Sequence, residues 1–240
     1  DADAKLEVLS RATREQIEEL PEYVQNTNIT VQHIEQGHVF DLEIHVYYEQ
    51  EHASVRIVDT HTNIVQIEKN WQVIFEDKTT SLELKADHSA LIMKQIWDFS
   101  QTVDIDDVKE ILDRQITCNM AIANEGIHNS YGANIGHVIL NMDSDCVKTR
   151  AKAYAAAGSD ARMNGCELPV VINSGSGNQG ITCCVPVVVY AKELDCTQEQ
   201  LYRALVLSNL TAIYIKTGIG TLSAFCGAVS AGAAAGAGIA

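Results

Sequence analysis

PVVINSGSGNQGITCCVPVVVYA, residues 169–191, carries no charged side chain and falls into three pieces. Pro169 to Ile172 reads as a short buried extended segment, and Ile181 to Leu194 reads as a helix. Between them, Asn173-Ser-Gly-Ser-Gly-Asn-Gln-Gly180 sets five hydrogen-bonding side chains among glycines. Glycine lets the backbone take φ > 0 and come close to a ligand, and a helix starting just after it offers unbonded N–H groups to an anion. The stretch is a candidate cradle for an anion or carboxylate, with Asn173, Ser174, Gly175, Ser176, Gly177 and Asn178 as its binding residues.

Gly175, Gly177 and Gly180 also spell G-x-G-x-x-G after a strand-like run and before a helix. A dinucleotide fold needs a second strand next, ending in an acid about 20 residues on. Here the chain passes through Ala191-Lys-Glu-Leu-Asp195 into another helical stretch, and Pro186 inside the apolar run argues for a kinked, packed helix. Nucleotide binding would require an acid reaching the ribose. A glycine-rich turn without a ligand is the plain alternative to both.

With 240 residues and 46% hydrophobic content, the chain can bury a substantial core in one large domain or two small ones. A formal charge of -15, with no Lys/Arg cluster, argues against a nucleic-acid partner and for a small one. Seven cysteines, two of them adjacent at Cys183 and Cys184, look like reduced thiols of a cytoplasmic protein rather than a disulfide scaffold. The terminal run SAGAAAGAGIA is only weakly apolar, so close helix packing explains it better than a bilayer span. Because the chain lacks an initial Met and stops inside that run, it is expected to be a piece of a longer protein.

Apolar positions at helical spacing predict a helix over Leu6 to Leu20, with Thr13 and Gln16 set like a capping box and Pro21 as its stop. From Ile29 the period becomes two. Phe40, Leu42, Ile44, Val46 and Tyr48 alternate with Asp41, Glu43, His45 and Tyr47, as in a half-buried antiparallel strand. Asn28 to Ile34, Ala53 to Val58, Ile64 to Glu68 and Trp71 to Phe75 read as further strands. Helices are expected over Ser89–Gln101, Asp104–Asn124, Tyr131–Asn141, Ser144–Met163, Gln198–Lys216 and from Thr221 onward. The resulting class is α+β: a small antiparallel-sheet unit over residues 1–85 packed on a larger helical domain over 86–240.

Three further residues stand out. Lys216 is the one charge between Ala204 and Ala240, so it is expected either to be desolvated and partnered by a substrate carboxylate or to snorkel from a helix end. His61 lies in Asp59-Thr-His-Thr-Asn-Ile64, where the strand pattern breaks, and Thr62 and Asn63 add a hydroxyl and an amide beside it. Cys226, in Ser223-Ala-Phe-Cys-Gly-Ala-Val229, reads on its own as a small buried residue. The other cysteines read as packing residues, and no Cys/His spacing alone defines a metal site.

Taken together, Asp1-Ala-Asp-Ala with Leu6 to Ser10, His61 to Ile64, Asn119 to Gly126, Ala155 to Met163, Pro169 to Ile181 and Lys216 to Cys226 resemble the L-cysteine desulfidase family. These are relatives of the iron-sulfur L-serine dehydratases that carry the serine dehydratase α-chain domain. The likeness covers essentially the whole chain.

The resemblance implies a cytoplasmic lyase that releases ammonia and pyruvate from L-cysteine or L-serine without pyridoxal phosphate, using a 4Fe-4S cluster as Lewis acid. It implies a cluster ligand at Cys226 and a proton-transfer role for His61 or Lys216. It also implies a substrate-contacting loop at Thr62 and Asn63, and a carboxylate site at Asn173 to Asn178. Other cluster cysteines of the family fall outside this chain, which is therefore expected to be inactive by itself. The partners expected are a small amino acid and a second copy in a homodimer, with no nucleic acid and no membrane. The competing expectation is a cluster-free protein that binds or senses a small amino acid.

Overall fold

The structure is a computed structural model describing residues 8, 11–35, 38, 40–60, 62–77, 87–220 and 225–240. Its order is α1 (Arg14–Asn26), β1 (Asp41–Tyr48), β2 (Glu51–Val58), β3 (Ile64–Lys69), β4 (Gln72–Glu76), α2 (Met93–Thr102), α3 (Ile105–His128), α4 (Ile135–Leu140), α5 (Val147–Met163), α6 (Gly177–Glu193), α7 (Gln198–Ile219) and α8 (Gly227–Ile239). This is an α+β chain. Contacts divide it into Glu15–Asp87 and a helical unit formed chiefly by His88–Ala240.

In the smaller unit the four strands pair in sequence order, all antiparallel. The β3–β4 turn places Asn70 and Trp71 at φ 50° and 67°, the left-handed pair that suits the twist of a two-residue hairpin. Trp71 then stacks on His52 with ring centroids 4.1 Å apart, and His45 Nδ1 lies 3.0 Å from His52 Nε2. The alternation in β1 is as expected, but every residue of the strand is exposed, so it is not half-buried. Alternation marks which face is apolar and carries no information on what covers it. Asn28 to Ile34 forms no strand: it lies before the first paired strand, and Val31 is 92% exposed.

The first helix also differs from expectation. It begins at Arg14, directly after Thr13, and runs through Pro21 to Asn26. Proline removes one N–H bond to the carbonyl of Ile17, but α1 has no buried residue, so water can satisfy that oxygen. Leu6, Glu7, Leu9 and Ser10 lie outside the described residues, as do the turn residues Gln36 and Gly37.

The helical unit is built around α6, which packs against α3, α5, α7 and α8. Ile181, Cys184, Val185, Val187 and Val188 of α6 meet Ile122 and Ala123 of α3 and Leu205 and Val206 of α7 in the core. Two helix starts follow the local chemistry of the sequence. Asp104 caps α3 by accepting from the N–H of Asp106 at 3.0 Å, and Thr197 and Gln200 form a capping box on α7. The uncharged C-terminal helix is covered on one side only. Ser230, Ala231, Ala234 and Ala235 are buried, whereas Val229 is exposed, as is Phe225 just before the helix. Among the described residues no helix is long and apolar enough to cross a membrane.

Candidate ligand-binding site

Pro169 to Ile172 makes no strand; Ile172 is exposed and the segment is irregular. Its backbone is held by a side chain instead. The N–H of Val171 donates to Asn119 Oδ1 at 2.8 Å, and Asn119 Nδ2 donates to the Val171 carbonyl at 3.1 Å. A buried amide on α3 thus does the work of a neighbouring strand.

The chain then turns back at once. Asn173 and Ser176 exchange backbone hydrogen bonds of 3.1 and 3.0 Å, and the two residues between them, Ser174 and Gly175, have φ 50° and 79°. Gly175 takes that conformation without strain, whereas Ser174 does so at a cost. Ser176 caps α6 by accepting from the N–H of Gln179, so the helix begins at Gly177, four residues earlier than the sequence pattern indicates. The second half of the glycine-rich run is therefore the first turn of the helix. Gly180 is required by contact: a Cβ there would lie 2.0 Å from the carbonyl oxygen of Val171.

Two groups that the sequence reading did not single out complete this corner. Arg162, in the last turn of α5, is half-buried, and a Cβ on Gly177 would sit 2.2 Å from its Nε. Arg162 Nη1 donates to Asn178 Oδ1 at 3.2 Å, and the guanidinium makes no ion pair among the described residues. A guanidinium and the positive end of a helix are thereby placed side by side.

Gln179 is the second group. It is 6% exposed, its Oε1 has no hydrogen-bond partner among the described residues, and its carboxamide lies against Gly227, the first residue of α8.

Behind the turn is a buried amide network. Gln115 Nε2 donates to Asn209 Oδ1 at 2.9 Å, and Asn209 Nδ2 donates back to Gln115 Oε1 at 2.8 Å. Asn173 Nδ2 donates to the carbonyl and Oδ1 of Asn209 at 3.2 and 2.9 Å. Ser174 Oγ donates to Asn173 Oδ1 at 2.8 Å. Cys183 Sγ adds a contact of 3.3 Å to Asn209 Oδ1, and burial pushes its thiol up to about 12. Burial also raises Cys184 well above its ordinary value, so this adjacent pair is packing rather than nucleophile.

The remaining candidates are placed as follows. Cys226 is exposed, not buried, at the N-cap of α8. Lys216 is half-buried in the last turn of α7, where a cation complements the carbonyl end of the helix. Thr62 and Asn63 belong to the sheet unit; Asn63 Nδ2 donates to the Val58 carbonyl at 2.9 Å and closes the β2–β3 turn. His61 and residues 221–224 lie outside the described residues. Among the described residues no group of three His, Cys, Asp or Glu side chains is arranged to hold a metal ion.

Fold and site define a helical domain whose central helix opens on a tight turn, fixed from behind by amides and flanked by the Arg162 guanidinium. The chain belongs to the serine dehydratase alpha chain family, matched over residues 3–240. It is 48% identical to a UPF0597 protein of Desulfitobacterium hafniense strain Y51, an alignment that takes in 100% of this chain and 56% of the relative. The corresponding figures are 48%, 100% and 58% for a UPF0597 protein of Lachnoclostridium phytofermentans, and 43%, 100% and 57% for one of Treponema denticola. The chain thus spans a little over half the length of these relatives. No solved structure matches it.

Proposed function

We propose that the protein is a cytoplasmic lyase that eliminates hydrogen sulfide from L-cysteine, or water from L-serine, and that the turn at residues 173–180 holds the substrate, with Asn178 and the start of α6 at its carboxylate. The observation that carries this reading is the guanidinium of Arg162 lying on Gly177, the first residue of α6, with no carboxylate of the described residues paired to it. Both groups favour a negative charge, and a carboxylate placed there relieves their mutual repulsion. Asn178 has its carbonyl oxygen engaged by Arg162 and its Nδ2 available to donate to the same carboxylate.

In the elimination a base takes the α-proton, the β-carbon loses its sulfur or oxygen, and water hydrolyses the resulting enamine, through its imine, to pyruvate and ammonia. His61 and Lys216 are the candidate bases. A 4Fe-4S cluster in the whole protein would supply a Lewis-acidic iron to the leaving group. The exposed thiol of Cys226 fits one of its ligands, and the described residues provide no complete ligand set.

The test is iron and sulfide content together with pyruvate release from L-cysteine and L-serine, using the intact protein reconstituted without oxygen. About four iron per chain with turnover, lost in Arg162→Met through a raised KM and in Cys226→Ala through loss of iron, is the expected result. An iron-free protein that binds an amino acid without turnover would overturn the lyase and leave a sensor.

A further inference from the structure

The hydrogen-bond sense of the amide network is fixed, because a backbone carbonyl can only accept. Asn209 donates one N–H to the carbonyl of Leu205 at 2.9 Å, which identifies its Nδ2 and, by exclusion, its Oδ1. Asn173 donates to the carbonyl of Asn209 at 3.2 Å, which identifies Asn173 Nδ2 in the same way. The oxygen left on Asn173 is Oδ1, and it too can only accept. Ser174 Oγ, 2.8 Å from it, must therefore spend its single proton on Asn173. Turning that proton toward a ligand would strand the oxygen of Asn173, a residue that is 5% exposed.

We infer that Ser174 meets the ligand only as a hydrogen-bond acceptor, and so contacts the α-ammonium of the amino acid rather than its carboxylate. The hydroxyl keeps two lone pairs, sits on a half-buried residue at the tip of the turn, and is oriented through Asn173 by the Gln115–Asn209 pair. A carboxylate oxygen brought to it would face an acceptor. The turn thus divides the zwitterion: negative end to Arg162, Asn178 and the start of α6, positive end to Ser174. Gln115 and Asn209 are positioning residues in this division. The inference rests on the reading of the turn as the site of an amino acid.

The experiment is calorimetric titration of the intact protein with L-serine and with 3-hydroxypropanoate, which lacks the amino group. Ser174→Gly is the variant of choice, since glycine suits φ 50° and so offsets part of the cost of leaving Asn173 Oδ1 without its donor; Ser174→Ala is the second, and a thermal melt of each shows that it is folded before it is titrated. A hydrogen bond to a charged group corresponds to roughly a ten- to hundredfold change in affinity. The expected result is that loss for L-serine in both variants, with 3-hydroxypropanoate unchanged. Equal weakening of both ligands would place Ser174 at the carboxylate and overturn the inference, as would no change in either. Failure of the unmutated protein to bind L-serine, L-cysteine or 3-hydroxypropanoate would remove the amino-acid site itself and the inference with it.

Discussion

Gln115 on α3 and Asn209 on α7 exchange two hydrogen bonds, 2.9 and 2.8 Å long, and so close an amide ring between helices whose residues lie 94 positions apart. Gln115 is 2% exposed, so neither water nor a surface rotamer can replace its partner. Asn209→Leu leaves the Gln115 amide unsatisfied and deprives Asn173 of one acceptor, at a cost of about 2–3 kcal/mol. The double variant Gln115→Leu/Asn209→Leu removes both ring members and is expected to be more stable than the sum of the single losses by about 1 kcal/mol or more. Urea unfolding of the four proteins measures this; strict additivity would show that the two amides do not act as a pair.

Two helical glycines should respond to alanine with opposite signs. Gly236 in α8 has open space where a Cβ would go, so Gly236→Ala gains helix propensity of about 0.5–1 kcal/mol. In Gly180→Ala the same gain is outweighed, because the new methyl would lie 2.0 Å from the Val171 carbonyl and must push the preceding segment away. A net loss of about 1–3 kcal/mol is expected, with weaker carboxylate binding as the turn moves. Thermal unfolding of both variants decides the matter, and a stabilised Gly180→Ala would contradict the contact.

What could be read from the sequence was local. The helix starts at Asp104 and Gln198 and the alternation of β1 depend on neighbours a few residues apart, and each is present to within a residue. The turn at residues 173–176 was legible as a turn because its glycines and small polar side chains are contiguous. Arg162 was not, because it reaches Gly177 from another helix and only the packing of α5 on α6 brings them together. Asn209 did leave a trace: it is the one amide in the uncharged run LVLSNLTAI, and an amide there must find a buried partner. Pro21 misled for the opposite reason, since a proline stops a helix firmly only where the freed carbonyl cannot reach water.

Gln179 offers a separation of stability from function. Its Oε1 is buried with no partner among the described residues, an arrangement that carries an uncompensated desolvation cost. Gln179→Met keeps the volume and removes the oxygen, and is expected to leave stability unchanged or raise it by about 1 kcal/mol. Destabilisation by more than about 1 kcal/mol in a thermal melt would mean that the oxygen is satisfied in solution.

The last expectation concerns the sheet unit and its pH dependence. Arg56 donates from Nε and Nη2 to the two carboxylate oxygens of Asp41 at 2.9 and 2.7 Å, bridging β1 and β2. This pairing holds the Asp41 carboxyl below its ordinary value, the hydrogen bonds from Arg56 being the main cause. A depressed carboxylate contributes stability that is complete above the unfolded value of about 3.9 and is lost as pH falls through the folded value. Both side chains are partly exposed, at 20% for Asp41 and 37% for Arg56, so solvent screening limits the contribution to about 0.5–1 kcal/mol. Asp41→Asn should therefore speed amide hydrogen exchange in β1 and β2 by roughly two- to fivefold at neutral pH. The difference should shrink as pH falls below the unfolded value of about 3.9 and the native carboxyl is itself protonated, and also in about 1 M salt. A mutant effect that is the same at pH 7 and pH 2 would show that Asp41 acts through packing and not through its charge.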